Sequence, residues 1–207
     1  VSAQAPQLEF NEAEHAYYVG GERLLNVTQV LAELGMVDTR FFTEEARLRG
    51  QAVHLACQYD DEGVLNEDDL DPVLAPYLEA WRRFVADYEF EAELIEKRLW
   101  SAAYRYAGTV DRVGKARIAN NGADKRRVAI DLKTGAALPA YPLQLAGYVN
   151  LLDEPTSYLR LKVELKPTGK YKVWEYPITT YARDLNVFLS GVGVLQWKKE
   201  NKLWAPQ

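Results

Sequence analysis

Three side chains near the middle of the chain have the types and spacing to do chemistry together. Asp131 and Lys133 stand two apart in Ala129-Ile130-Asp131-Leu132-Lys133-Thr134-Gly135. That stretch alternates as a strand, so both project to one side while Val128, Ile130 and Leu132 project to the other. Asp111, in Gly108-Thr109-Val110-Asp111-Arg112-Val113, lies as far before Asn121 as Asp131 lies after it. Asn-Gly between two alternating segments, as in Asn120-Asn121-Gly122, is the strongest short hairpin signal. A hairpin centred there sets the two aspartates opposite each other on one face, Cβ atoms about 5 Å apart. Like charges so placed repel, and a cation between them resolves the conflict. Carboxylates are hard ligands suited to Mg²⁺ or Mn²⁺, and magnesium leaves coordination sites for water and a phosphate. An ammonium beside such a bound water would position it as a nucleophile.

The elements that must hold these groups can be read from patterning. Leu8 to Leu25 alternates around Gly20-Gly21, which predicts an amino-terminal hairpin. Asn26 or Thr28 can cap a short helix with Val27, Val30, Leu31 and Leu34 on its apolar face, ended by Gly35. Its start is an ordinary cap or a phosphate contact. Thr43 to Tyr59 reads as a longer helix, with Glu44 and Glu45 favouring its dipole. Gly50 lies inside it, four residues before His54 on the same face. Either Gly50 relieves a helix crossing, or it lets a ligand approach beneath the imidazole. Asp60 to Asp71 reads as a solvated acidic loop whose spacing does not match a calcium loop. Pro76 opens a helix with a core stripe of Tyr77, Trp81, Phe84, Val85 and Tyr88. Leu94 to Trp100 reads as a strand that could bring Glu96 to the site. Pro142 starts a helix with Tyr141, Gln144 and Tyr148 on one stripe. Two more strands surround Pro167-Thr168-Gly169, where Lys162, Lys166, Lys170 and Lys172 protect an edge or track a backbone. A final helix runs from Tyr181 to Leu203.

The 207 residues suffice for one sizeable core, and 48% hydrophobic with 27% charged residues is ordinary for a soluble globular protein. The lone Cys57 excludes a disulfide framework, a zinc–thiolate site and a four-cysteine iron–sulfur cluster within the chain. A net charge of −5 argues against indiscriminate nucleic-acid binding, though not against a basic groove in an acidic shell. No apolar run reaches the length of a membrane span.

The motifs together resemble the PD-(D/E)xK nuclease superfamily, in its RecB-like exonuclease branch. The residues that carry the likeness are Gly108-Thr109-Val110-Asp111, Ile130-Asp131-Leu132-Lys133-Thr134-Gly135 and Gln144-Leu145-Ala146-Gly147-Tyr148. Upstream, Arg49-Gly50-Gln51-Ala52-Val53-His54 is similar to the branch's Gly-x-x-x-His helix, and Asn26-Val27-Thr28-Gln29-Val30-Leu31 to its Ser-Val-Thr segment, with Asn26 in place of serine. The resemblance spans residues 26 to 148. It implies an α/β fold with a mixed sheet flanked by helices, a restriction-endonuclease-like core. One domain over 1–207 is expected, with the hairpin and helices of 1–90 packing on a catalytic core at 91–207.

The same resemblance implies a Mg²⁺- or Mn²⁺-dependent deoxyribonuclease, an exonuclease of phage recombination or DNA repair. Asp111, Asp131, the Leu132 carbonyl and His54 would hold one or two ions, with Glu96 as a further acid. Lys133 would orient or deprotonate the attacking water, and Gln144 and Tyr148 would line the groove. Apart from the resemblance, Thr28, Arg49, Arg112 and Tyr141 are candidate DNA contacts, and Arg40, Arg47, Arg82, Arg83, Lys125, Arg126 and Arg127 are further groove candidates; a solvated face accounts for each of these cations nearly as well. Absence of a cysteine cluster separates the chain from iron–sulfur relatives. The implied setting is the cytoplasm of a bacterial or phage-infected cell, with no membrane. A recombinase, annealing protein or helicase would act in trans. The competing reading is a catalytically inactive nucleic-acid-binding or assembly protein on the same scaffold.

Overall fold

A strand that must serve three neighbours organises the molecule. In the computed structural model, which describes residues 6–37, 43–118, 124–135 and 138–204, this strand is β5 (Tyr106–Arg117). One edge of β5 pairs antiparallel with β4 (Glu91–Ser101) along its length. The other edge is shared. β3 (Glu22–Asn26) lies parallel to it at Tyr106 and Ala107, and β6 (Lys125–Lys133) lies antiparallel to it from Arg112 to Arg117. Residues 108–111 fall between the two partners, where the edge opens.

The rest extends this frame into an eight-stranded mixed sheet. β1 (Leu8–Asn11) and β2 (Ala16–Val19) continue outward from β3 as an antiparallel meander. β7 (Leu159–Leu165) runs parallel to β6, and β8 (Tyr171–Tyr176) closes the far edge antiparallel to β7. The amino-terminal hairpin of the sequence reading is thus a three-stranded unit, with Gly20 and Gly21 at positive φ making the β2–β3 turn. Helices cover both faces. On one lie α1 (Val27–Glu33), α4 (Tyr141–Val149) and α5 (Tyr181–Glu200), packing Val30, Leu31, Val149 and Phe188 into one core. On the other, α2 (Glu44–Asp61) and α3 (Ala75–Asp87) bury Val53, Cys57, Trp81 and Phe84 against Val128, Ile130 and Leu132.

Local chemistry sets the ends of the elements that matter to the site. The Asn26 side chain accepts from the Gln29 N–H at 2.8 Å, so Asn26 is the cap of α1. Thr43 caps α2 in the same way at 3.1 Å. α2 runs on to Asp61, so the first acidic residues of the expected loop belong to a helix. The described β5–β6 pairs are each centred on Asn121, the register expected from the sequence; the Asn120-Asn121-Gly122 turn itself lies outside the described residues, as does Arg40.

One expectation about a cation needs correction. Lys162 is no edge lysine: β7 lies inside the sheet, and the fully buried ammonium sits 3.5 Å over the Trp174 ring. Arg82 and Arg83, open in sequence between solvent and a polyanion, are partly exposed and ion-paired, Arg82 with Asp60 and Glu67 and Arg83 with Glu79. Gly114 is required where β4 bulges toward β5 between Ala92 and Leu94. A Cβ there would sit 2.0 Å from the Glu91 carbonyl oxygen. Gly114→Ala should therefore destabilise the protein by about 1–3 kcal/mol in urea unfolding, as overpacking does; an unchanged midpoint would mean that the bulge relaxes freely.

Candidate active site

The site begins where β5 and β6 part. Their ladder ends at Arg112 and Ile130, one pair short of the two aspartates. Beyond it, β6 stays with β7, pairing Asp131 with Lys162 and Leu132 with Val163. The Leu132 N–H is left without a strand partner on β5, and the Asp111 Oδ2 takes it at 2.7 Å. Asp111 thus replaces a missing ladder bond and lies at the mouth of the opened edge. Asp131 is 1% exposed; its Oδ1 accepts from Lys133 Nζ at 2.7 Å, while its Oδ2 is buried with no hydrogen-bond partner. An ionised oxygen so placed is costly unless a cation meets it.

α2 and β4 bring the remaining ligands. His54 Nδ1 stands 3.6 Å from Glu96 and 3.7 Å from Asp111, and His54 Nε2 lies 3.1 Å from the Leu132 carbonyl oxygen. Glu96 reaches the site through a left-handed backbone, φ 44°, which interrupts the alternation of β4. Backbone strain of this kind persists only where the surroundings enforce it. One ligand atom each from His54, Glu96 and Asp111 lies within 4.8 Å of the others, so this cluster can hold a metal ion. Two carboxylates and one imidazole fit a divalent cation; Asp131 is not among the three, and the Leu132 carbonyl faces Nε2, the ring nitrogen turned away from them.

The protonation pattern shows the same demand for positive charge. Burial opposes protonation of His54, but Asp111 and Glu96 outweigh it and hold the imidazole above its ordinary pKa. Burial would raise Glu96, yet His54 and Arg112 bring it below the usual value. Asp111 is pushed up by burial, only partly countered by His54. Asp131 is pushed up to about 6, first by burial and then by Asp111, against the pull of Lys133. Lys133 is held above its usual value, despite burial, by Asp131 and Asp111. It is an ammonium in the resting site.

These groups floor a cleft of 780 Å³. Gly50, His54 and Leu55 of α2 form one wall, Thr28, Gln144 and Tyr148 of α1 and α4 another, and Phe10, His15, Tyr17 and Arg98 the far end. The glycine of the Gly-x-x-Asp motif has a packing reason, since a Cβ on Gly108 would meet the Tyr148 ring at 2.9 Å. Gly50 has none of comparable force. A Cβ there would meet only Thr134 Oγ1 at an ordinary 3.5 Å, so no close helix crossing requires the glycine. Gln144 Nε2 donates to the Tyr148 hydroxyl at 3.3 Å, tying these two into the wall.

The expected DNA contacts divide. Thr28 lines the cleft, 3.4 Å from the Tyr148 hydroxyl. Arg49 is half-buried and outside the cleft lining, and Tyr141 is buried behind Lys133 and Lys162, whose ammonium groups lie 5.5 and 4.8 Å from its ring. Arg112 is corrected outright. It is fully buried, with Nε on Asp61 at 2.6 Å and Nη1 on Glu96 at 2.8 Å and on the Asp111 carbonyl at 2.7 Å. Asp61, read from sequence as solvated, also accepts from Trp81 Nε1 at 2.8 Å. Together Arg112 and Asp61 hold Glu96 in its strained position.

Two comparisons with known proteins returned nothing: no family model matches the chain, and no curated protein matches it. Among solved structures, one described as "Putative exonuclease" from Eubacterium rectale superposes with a TM-score of 0.47 at 8% identity, over 89% of this chain and 84% of that one. Another, SSO0001, gives a TM-score of 0.30 at 16% identity, over 79% and 83%. These are distant likenesses, and the chemistry rests on this chain's own side chains.

Two substitutions test the site's electrostatics. An unfolded aspartate ionises near pH 4, whereas Asp131 in the fold keeps its proton to about 6. Between those values the unfolded state loses its proton first, so Asp131 costs the fold stability as pH rises, about 2–3 kcal/mol in all. Urea unfolding should show Asp131→Asn gaining on wild type by that amount from pH 4 to 6, with no further change above; a flat difference would mean Asp131 ionises normally. Arg112→Gln removes the buried cation that Asp61 and Glu96 share and should cost about 3–5 kcal/mol. A groove arginine would cost almost nothing.

Proposed function

We propose that the chain is a metal-dependent nuclease that hydrolyses DNA phosphodiester bonds. The observation that carries this reading is the convergence of Asp111, Asp131 and Lys133 with His54 and Glu96 on the floor of one cleft. The cluster's carboxylates suit Mg²⁺ or Mn²⁺, and its imidazole admits borderline transition metals as well. Such an ion supplies Lewis acidity towards a phosphoryl oxygen and lowers the pKa of a bound water.

The protein's own groups do the rest. Asp111 is locked by the Leu132 N–H, and Glu96 by Arg112, so both carboxylates are oriented before substrate arrives. Lys133 donates to Asp131 and carries its proton firmly. It would orient or deprotonate the attacking water and stabilise charge on the phosphate. Gln144 and Tyr148 shape the wall that the strand passes. Water would attack phosphorus in line with the departing oxygen.

The finer reading follows the motif order: an exonuclease of DNA recombination or repair, of the PD-(D/E)xK type and free of iron–sulfur clusters. A recombinase, annealing protein or helicase would supply DNA ends in trans. Among the described residues no helix is long and apolar enough to cross a membrane.

End-labelled single- and double-stranded DNA incubated with Mg²⁺ or Mn²⁺ tests this. Wild type should release nucleotides, and Lys133→Ala should lower the rate by about 100-fold or more, as loss of a charge-stabilising donor does. Equal rates for the two proteins would refute the assignment. Blocking the 5′ or the 3′ end in turn then reads the polarity.

A further inference from the structure

The cleft continues past the acidic cluster to a cationic and aromatic end that the hydrolytic chemistry leaves unused. Phe10, His15 and Tyr17 come from β1, β2 and the turn between them, and Lys97 and Arg98 directly follow Glu96 on β4. All five line the same cleft as Asp111 and Lys133. The Arg98 guanidinium carbon lies over the Phe10 ring, 4.2 Å from its centroid, a cation–π contact. The Phe10 ring is itself braced, by Tyr17 at 4.7 Å and edge-on by His15 at 5.3 Å. Tyr17 is buried, and its hydroxyl shares a hydrogen bond of 2.6 Å with Thr109 Oγ1, two residues from Asp111. The stack is therefore rigidly coupled to the strand that carries the catalytic carboxylate.

The other side of Arg98 is open. Its side chain is 47% exposed, and its ion pair is a long 3.4 Å contact to the highly exposed Glu12. Exposed pairs of this kind contribute little and yield to a better partner. Lys97 is exposed beside it. A half-exposed guanidinium held over an aromatic ring, with Lys97 lining the same cleft, suits a nucleobase with a phosphate alongside. Arg98 is two residues, about 7 Å along the strand, from Glu96. That separation suits a nucleotide adjoining the one being cut.

We propose that this end of the cleft is a base-stacking subsite for an unpaired DNA strand, with Arg98 on Phe10 as the platform and Lys97 as the phosphate contact. It rests on the nuclease reading and narrows its substrate to DNA whose terminal bases are unpaired. A base reaches the Arg98 guanidinium only when it is out of its duplex stack, which an unpaired strand offers without the cost of unpairing.

The test is fluorescence anisotropy of the full chain with oligodeoxythymidylates in Ca²⁺ buffer, an abasic residue being placed at each position in turn from either end. Wild type should bind about 5- to 150-fold more weakly when the abasic residue occupies the subsite, the range for one stacked base. Arg98→Ala, which should unfold at the wild-type temperature because the side chain is exposed, should bind the intact strand that much more weakly and lose the positional profile. Arg98→Lys keeps the charge without the plane and should behave the same way. Wild-type affinity indifferent to the abasic position would overturn the subsite. So would a full-strength positional profile in Arg98→Ala. A wild type that degrades DNA but has a flat profile would leave the nuclease reading standing and end this one; a positional profile without degradation would do the reverse.

Discussion

The structure depends on a strand pair that comes apart at the right place. β5 and β6 hold a regular antiparallel register up to Arg112 and Ile130, then separate because β3 takes the shared edge of β5 further back and β7 keeps hold of β6. Separation strands a backbone N–H at Leu132, and the Asp111 carboxylate satisfies it. A buried donor without a partner would cost about 1–3 kcal/mol, so Asp111 has a structural reason to sit where chemistry needs it. The same opening gives the cleft its floor and leaves the Leu132 carbonyl beside His54.

Everything around the opening answers one electrostatic demand. Three carboxylates converge where water is largely excluded, and the protein supplies positive charge from several directions. Lys133 meets Asp131, Arg112 meets Glu96 from beneath, and His54 leans towards its protonated form between Glu96 and Asp111. The histidine proton stands where a metal ion would bring its charge. Asp61 and Trp81 anchor Arg112 in turn, so α2 and α3 share in placing a ligand on β4.

Much of this was legible in the sequence, and the part that was not has a physical cause. The Asp111/Asp131/Lys133 face followed from period-two alternation and the symmetric spacing about Asn121, both properties of the backbone. Alternation says which side a residue takes, however, and not how deep it lies. Arg112 therefore reads like any strand arginine, although it is buried on Asp61 and Glu96. Lys162 misled in the same way, because edge and interior strands alternate alike. Glu96 was visible as a candidate, but its left-handed backbone carries no local signal; glutamate is not a residue one expects there. The Phe10–Arg98 stack joins residues far apart in the chain, and nothing in either segment announces the other.

The central claim is that His54, Glu96 and Asp111, with Asp131 beside them, form a divalent cation site. Calorimetric titration of Mn²⁺ into the full chain near pH 7, repeated in buffers of different ionisation enthalpy, measures it directly. The account predicts saturable binding accompanied by proton release, as the metal displaces the proton favoured on His54. It further predicts loss of that binding in Asp111→Asn. Absence of Mn²⁺ uptake by wild type, or uptake of equal affinity by Asp111→Asn, would contradict it.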